Sequence, residues 1–151
     1  METAVMVRCV DPRFEGEWRK GLEALFEWSG VYTVTEPGGI YPLASPDCVR
    51  EGLFISRIAE VVALAGASQL LVVHHANCAR YAAKGVRFTD EQALNCVEER
   101  YHCGQMERGL ATLIEAFPGL VISMHYMQRN GAVSSLQEVQ RNVAVVFRET
   151  V

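Results

Sequence analysis

The stretch Gln69-Leu70-Leu71-Val72-Val73-His74-His75-Ala76-Asn77-Cys78 decides the fold. Gln69 to His74 is nearly all apolar, and it closes on imidazole, amide and thiol groups. A short continuous apolar run reads as a strand buried on both faces, the kind found in parallel sheets covered by helices. Upstream, Val49, Leu53, Ile58, Val61, Val62 and Ala65 recur at helical spacing as far as Gly66. Ser45-Pro46 supplies an N-cap and a first helical position. Before that, Val31 to Thr35 is a second strand, closed by the loop Pro37-Gly38-Gly39. A helix is expected over Glu15 to Trp28, carried by Trp18, Leu22, Leu25 and Phe26 and stopped by Gly30. Ala4 to Cys9 is the first strand, ending at Asp11-Pro12.

Downstream, one long helical region is expected from Thr89 to Phe117. Thr89 and Gln92 offer a capping box, and Pro118 ends the run. Leu120 to Met127 reads as a fourth strand. Asn130-Gly131 is a hairpin signal, with Ala132 to Val139 as the return strand; Arg141 to Val151 fits strand or helix. Strands that alternate with helices imply parallel pairing by right-handed crossovers. The expected fold is therefore an α/β layered domain: a four-stranded parallel β core, helices on both faces, and a C-terminal antiparallel hairpin strand. Ligands in such sheets sit beyond the carboxyl ends of strands, where the strand order reverses.

The chain has 151 residues, 50% hydrophobic and 21% charged, with a net charge of −4. That suits one domain over residues 1–151, with a real core. The Lys and Arg residues form no basic run, so nucleic acid is not an expected partner. The stretch from Val61 to Val73 is too short to span a bilayer, and the N-terminus lacks a signal-peptide pattern. Five cysteines, Cys9, Cys48, Cys78, Cys96 and Cys103, without a secretion signal suggest reduced thiols in a cytoplasm.

The chemistry gathers at two strand ends. The first ends in Cys9-Val10-Asp11-Pro12-Arg13 and the third in His75-Ala76-Asn77-Cys78. Two soft thiolates and an imidazole suit zinc, and three protein ligands with one open position is the catalytic arrangement. Neighbouring first and third strands would bring Cys9, His75 and Cys78 to one point. The bland alternative, two ordinary buried thiols, leaves their shared place at strand ends unexplained.

Cys9-x-Asp11-x-Arg13 followed by His75-x-x-Cys78 resembles the β-class carbonic anhydrases. The resemblance runs from Val5 to the hairpin near Val139. It implies zinc bound by Cys9, His75 and Cys78, an Asp11–Arg13 dyad beside the metal, and a parallel core with the first and third strands adjacent. Gly38-Gly39 looks like the family's glycine-containing turn beside the active site, where backbone amides approach the substrate. Where the family usually has Gly before the His and after the second Cys, this chain has His74 and Ala79, and Pro12 stands inside the dyad. The family's N-terminal helical arm is expected to be missing.

The implied activity is zinc-dependent reversible hydration of CO2 to bicarbonate through zinc-bound hydroxide, with Asp11 accepting that hydroxide's hydrogen bond and Arg13 holding Asp11 ionised. Two rivals stand beside it: a related zinc hydrolase of carbon disulfide or carbonyl sulfide, and a catalytically silent zinc-binding module. A homodimer or larger homo-oligomer is expected, because an open edge strand invites pairing. His74 points to the other sheet face, as a core or interface histidine. Cys96, His102 and Cys103 read as a helix face rather than a second metal site. His125 reads as structural and Cys48 as buried.

Overall fold

The computed structural model describes residues 3–23, 30–45 and 50–149. Its centre is a five-stranded sheet: β1 (Ala4–Arg8), β2 (Val31–Thr35), β3 (Gln69–His75), β4 (Val121–Met127) and β5 (Val133–Ser135). The strand order is β2-β1-β3-β4-β5. The first four strands are parallel and β5 is antiparallel to β4. The expected parallel core, with β1 beside β3, is what forms. The chain leaves β1 toward β2 on one side and returns to β3 on the other, so the order reverses between β1 and β3.

Side chains alternate along each strand, and here both faces are apolar. Val5, Val7, Leu70 and Val72 share one core with Phe54, Ile58, Met106, Leu113 and Val139. Those partners come from α3 (Glu51–Ala65), α6 (Val97–Ala116) and α7 (Leu136–Glu149). Ala4, Met6, Leu71 and Val73 share the other core with Trp18, Leu22 and Tyr81, from α1 (Arg19–Glu23), the turn before it and α4 (Ala79–Ala83). No helix among the described residues is long and apolar enough to cross a membrane.

Several boundaries differ from the sequence expectation. The helical region from Thr89 breaks into α5 (Asp90–Leu94) and α6, with Cys96 left-handed at the junction, φ 58°. The capping box at Thr89 and Gln92 forms, yet α5 buries none of its residues. With no apolar face to keep α5 in line with α6, the break costs no core contact. The return strand stops at Ser135, because Ser135 and Glu138 form a reciprocal cap: the Ser135 amide donates to Glu138 (2.7 Å) and the Glu138 amide to Ser135 Oγ (3.2 Å). Leu136 to Val139 therefore opens α7 instead of extending a strand.

Ser45 ends a short helix, α2 (Tyr41–Ala44), rather than starting the next one. Pro46, Cys48 and Val49 lie outside the described residues. So do Leu25, Phe26 and Trp28 of the helix expected over Glu15 to Trp28. Its described part is α-helical only from Arg19 to Glu23; Glu15 ends a 3₁₀ turn and Gly16 to Trp18 form a further turn instead. A 3₁₀ turn, Pro12–Glu15, precedes α1 and is capped by Asp11.

Candidate metal centre

The parallel register sets Arg8 beside Val73, so Cys9 leaves β1 as His75 closes β3. Asn77 then adopts a left-handed backbone, φ 54°, which turns the chain so that Cys78 caps α4. The candidate ligand atoms of Cys9, His75 and Cys78 lie within 4.8 Å of one another, and all three residues are buried. Among the described residues no other such group of three forms. The two sulfurs are 3.9 Å apart.

The histidine tautomer follows from its partner. His75 Nδ1 lies 2.7 Å from the Ala76 carbonyl oxygen. A carbonyl only accepts, so Nδ1 carries the proton and Nε2 presents a lone pair. That Nε2 is buried without a hydrogen-bond partner among the described residues, an expensive state for a polar atom. An imidazole lone pair beside two thiol sulfurs, with the second ring nitrogen bound to a carbonyl, is a donor set that fits zinc.

The thiols are unequal. The hydrogen bond with Cys78 lowers Cys9, against burial and with help from His75 and the Gly38 amide, while the same bond pushes Cys78 up. The Gly38 N–H donates to Cys9 Sγ at 3.3 Å. Gly38 has φ +81°, and a Cβ there would come 2.7 Å from Tyr41 Cβ and 2.9 Å from Arg80 Cγ. Only glycine brings the amide to the sulfur without displacing both. Gly39 follows at φ +61°, beside the Cys9 nitrogen and the Val73 carbonyl.

Asp11 and Arg13 form a two-pronged pair. Arg13 Nε donates to Oδ1 (3.1 Å) and Nη2 to Oδ2 (2.7 Å), and the Arg13 amide also donates to Oδ1 (2.9 Å). Burial works to raise the Asp11 carboxyl, but these bonds outweigh it and hold the group below its usual range. Arg13 stacks on Trp18, 4.0 Å from the ring centre. Phe14 and Trp18 in turn pack on the His75 ring at 5.5 and 5.0 Å.

Three contributors escaped the sequence reading: Asn77, Glu98 and Arg129. Glu98 is 2% exposed. Its Oε1 accepts from the Asn77 amide (2.7 Å), and its Oε2 from Arg129 Nε (3.1 Å). Arg129 also reaches Asp90 Oδ1 (2.9 Å) and the Phe88 carbonyl (3.2 Å). Asn77 is gripped from its other side too, because Arg13 Nη2 donates to its carbonyl at 3.4 Å. A signal for Glu98 was present: it shares a helical stripe with His102, Met106 and Leu113, so a carboxylate falls on an apolar face.

The remaining candidates stand apart from the three ligand atoms. His74 lies at 2.8 Å from His102 through ring nitrogens, both rings fully packed. Cys103 bonds Glu107 at 3.5 Å, and Cys96 sits at the α5–α6 break. His125 lies within β4.

No protein-family model and no curated protein matches the chain. Solved structures do. One comes from the crystal structures of two tetrameric β-carbonic anhydrases of the filamentous ascomycete Sordaria macrospora. It is 12% identical, with 89% of this chain and 80% of that chain covered and a TM-score of 0.52. Another is the β-carbonic anhydrase CafA of the fungal pathogen Aspergillus fumigatus. It is 14% identical, with 97% and 83% covered and a TM-score of 0.51. At these identities the likeness is one of fold.

Proposed function

From the premise of a β-carbonic-anhydrase-like fold, we propose that the chain is a zinc enzyme of one domain, residues 1–151, that reversibly hydrates CO2 to bicarbonate. The observation that carries the reading is the buried, unpartnered His75 Nε2 beside the Cys9 and Cys78 sulfurs. Those three residues would hold the metal. When bound, zinc supplies Lewis acidity, bringing the pKa of a coordinated water from 15.7 toward about 7.

The protein's own residues do the rest. Asp11 accepts a hydrogen bond from the attacking oxygen and so points its lone pair at the carbon. Arg13 keeps Asp11 ionised and fixes its plane through the two-pronged pair. Phe14 and Trp18 fix the His75 ring against rotation. The Gly38 amide stabilises negative charge on Cys9 Sγ. We place Gly38 and Gly39 along the substrate's approach, where side chains would obstruct. A homo-oligomer, two copies or more, fits the tetrameric neighbour. The free thiols Cys9, Cys78, Cys96 and Cys103 fit a reducing cytoplasm.

Zinc analysis of the purified protein, followed by stopped-flow CO2 hydration beside a sulfide-release assay with carbonyl sulfide and carbon disulfide, is the test. One zinc per chain with CO2 hydration is expected. Sulfide release without hydration would establish the sulfur-substrate hydrolase instead. Zinc with neither activity would establish a silent binding module.

A further inference from the structure

A second place in the fold gathers charge. A groove of about 1000 Å³ runs between α2, α4 and α6. Four cations line it, Arg50, Arg80, Lys84 and Arg108, and Glu51 is the one acid among the described lining residues. Arg80 and Lys84 sit one turn apart at α4, while Tyr101 and Arg108 share a face of α6. The chain as a whole carries −4, so this concentration runs against its overall balance.

Arg13, Arg19, Arg57 and Arg129 each face a carboxylate. Among the described residues, none of the groove cations has a carboxylate within ion-pair distance. Four cations held together with one acid among the described lining residues leave an excess of like charge, and an anion in the groove would relieve that repulsion.

The geometry narrows the anion. The Arg80 stem packs on Gly38, and its guanidinium lies 4.8 Å from the Tyr41 ring centre. Stacking occupies a face of the guanidinium and leaves its N–H edge for a two-pronged acceptor such as phosphate. Tyr41 and Tyr101 add aromatic lining. A volume of this order takes a ligand of many atoms, far larger than CO2 or bicarbonate. We propose that the groove binds a nucleotide-sized organic phosphate, its phosphates on Arg80, Lys84 and Arg108 and its ring against Tyr101.

Calorimetric titration of the zinc-loaded protein with ATP, pyrophosphate, citrate and adenosine tests this. ATP and pyrophosphate should saturate with Kd below about 1 mM, ATP the tighter, with citrate and adenosine at least about tenfold weaker. Arg80→Gln/Arg108→Gln should weaken ATP at least about tenfold, and Lys84→Gln, at an exposed position, serves if the double variant fails to fold. Asp11→Asn should leave ATP binding unchanged, which separates this groove from the metal centre. Absence of saturable ATP and pyrophosphate binding would overturn the proposal. So would citrate binding as tightly as ATP, or variants that bind like wild type. Dissociation of an oligomer by the double variant, without ATP binding to wild type, would make the groove a subunit contact and overturn it as well.

Discussion

Glu98 Oε1 accepts the Asn77 amide at 2.7 Å, so a carboxylate on α6 holds the turn that separates His75 from Cys78. The turn needs holding. A left-handed backbone at a non-glycine residue is costly, and at Asn77 it lies between two candidate ligands. Ala76 is tied to the Met127 carbonyl at 2.9 Å, and Arg13 bonds the Asn77 carbonyl. The ligand turn is thus fixed by contacts from β4, α6 and the dyad.

Removing the Glu98 carboxylate should loosen the metal. Glu98→Ala leaves the Asn77 amide without an acceptor and Arg129 without a buried partner, and zinc affinity should fall by about 10–100-fold. Glu98→Gln keeps an amide oxygen for Asn77 and should recover part of that loss. Chelator competition measures both, and the thiolate charge-transfer bands of the cobalt-substituted protein report any change in ligand geometry. Wild-type affinity in Glu98→Ala would remove Glu98 from the metal's support.

Gly38→Ala should destabilise the fold and disturb the same centre. The added Cβ meets Tyr41 and Arg80 inside contact distance at a positive φ, and a strained backbone of this kind costs about 1–3 kcal/mol. The expected result is a lowered thermal midpoint, with a rise in the Cys9 thiol pKa as the Gly38 amide moves off its sulfur. Thiol alkylation against pH in the zinc-free protein measures the second effect.

Much of this was legible in the chain. The apolar runs at Ala4–Cys9 and Gln69–His74 announced strands buried on both faces, and the residues at their ends pointed to the group of Cys9, His75 and Cys78 that the fold brings together. The spacing could not show what stood on the far side of the site. Glu98 and Arg129 are thirty-one residues apart, and only the packing of α6 against the β4–β5 turn makes them partners. The break at Cys96 was hidden for a related reason. Capping and periodicity describe turns of a regular helix, and a single left-handed residue leaves both patterns intact. The return strand failed on a signal that was present, the Ser135-x-x-Glu138 cap, which outweighed the alternation read through it.

The buried histidine pair makes stability fall with acid. Burial, the largest cause, brings His102 down to about 3. The unfolded chain binds this proton at about 6.5. Between those values the unfolded state carries more protons, so unfolding free energy rises with pH across the window. At pH 5 the loss from His102 alone is on the order of 2 kcal/mol relative to neutral pH. Glu98 at 3.9 Å and His74 at 2.8 Å face it, and the rings of Tyr81, Tyr101 and Tyr126 pack around it at 5.1, 5.4 and 5.7 Å. Urea unfolding at pH 7 and pH 5 measures the drop, and His102→Gln should flatten it. An unchanged slope in that variant would assign the acid sensitivity elsewhere.

The dyad separates metal binding from catalysis. Asp11 and Arg13 bind each other through three hydrogen bonds, and neither belongs to the buried ligand group. Arg13→Ala should therefore retain zinc while lowering CO2 hydration, because Asp11 keeps the backbone amide but loses the two guanidinium bonds that offset its burial and fix its plane. Its carboxyl pKa should rise, so the acid limb of the rate profile should move toward higher pH. Asp11→Asn should retain zinc and lose more, about 100-fold or beyond, the scale expected for a group that manages a proton at the reacting centre. An asparagine that turns its NH2 toward the attacking oxygen cannot accept the hydrogen bond. Zinc content by elemental analysis, with stopped-flow hydration from pH 6 to about 9, measures both. Lost zinc in Asp11→Asn would make the carboxylate part of the metal's own support. Full activity with full zinc would end its role in the reaction.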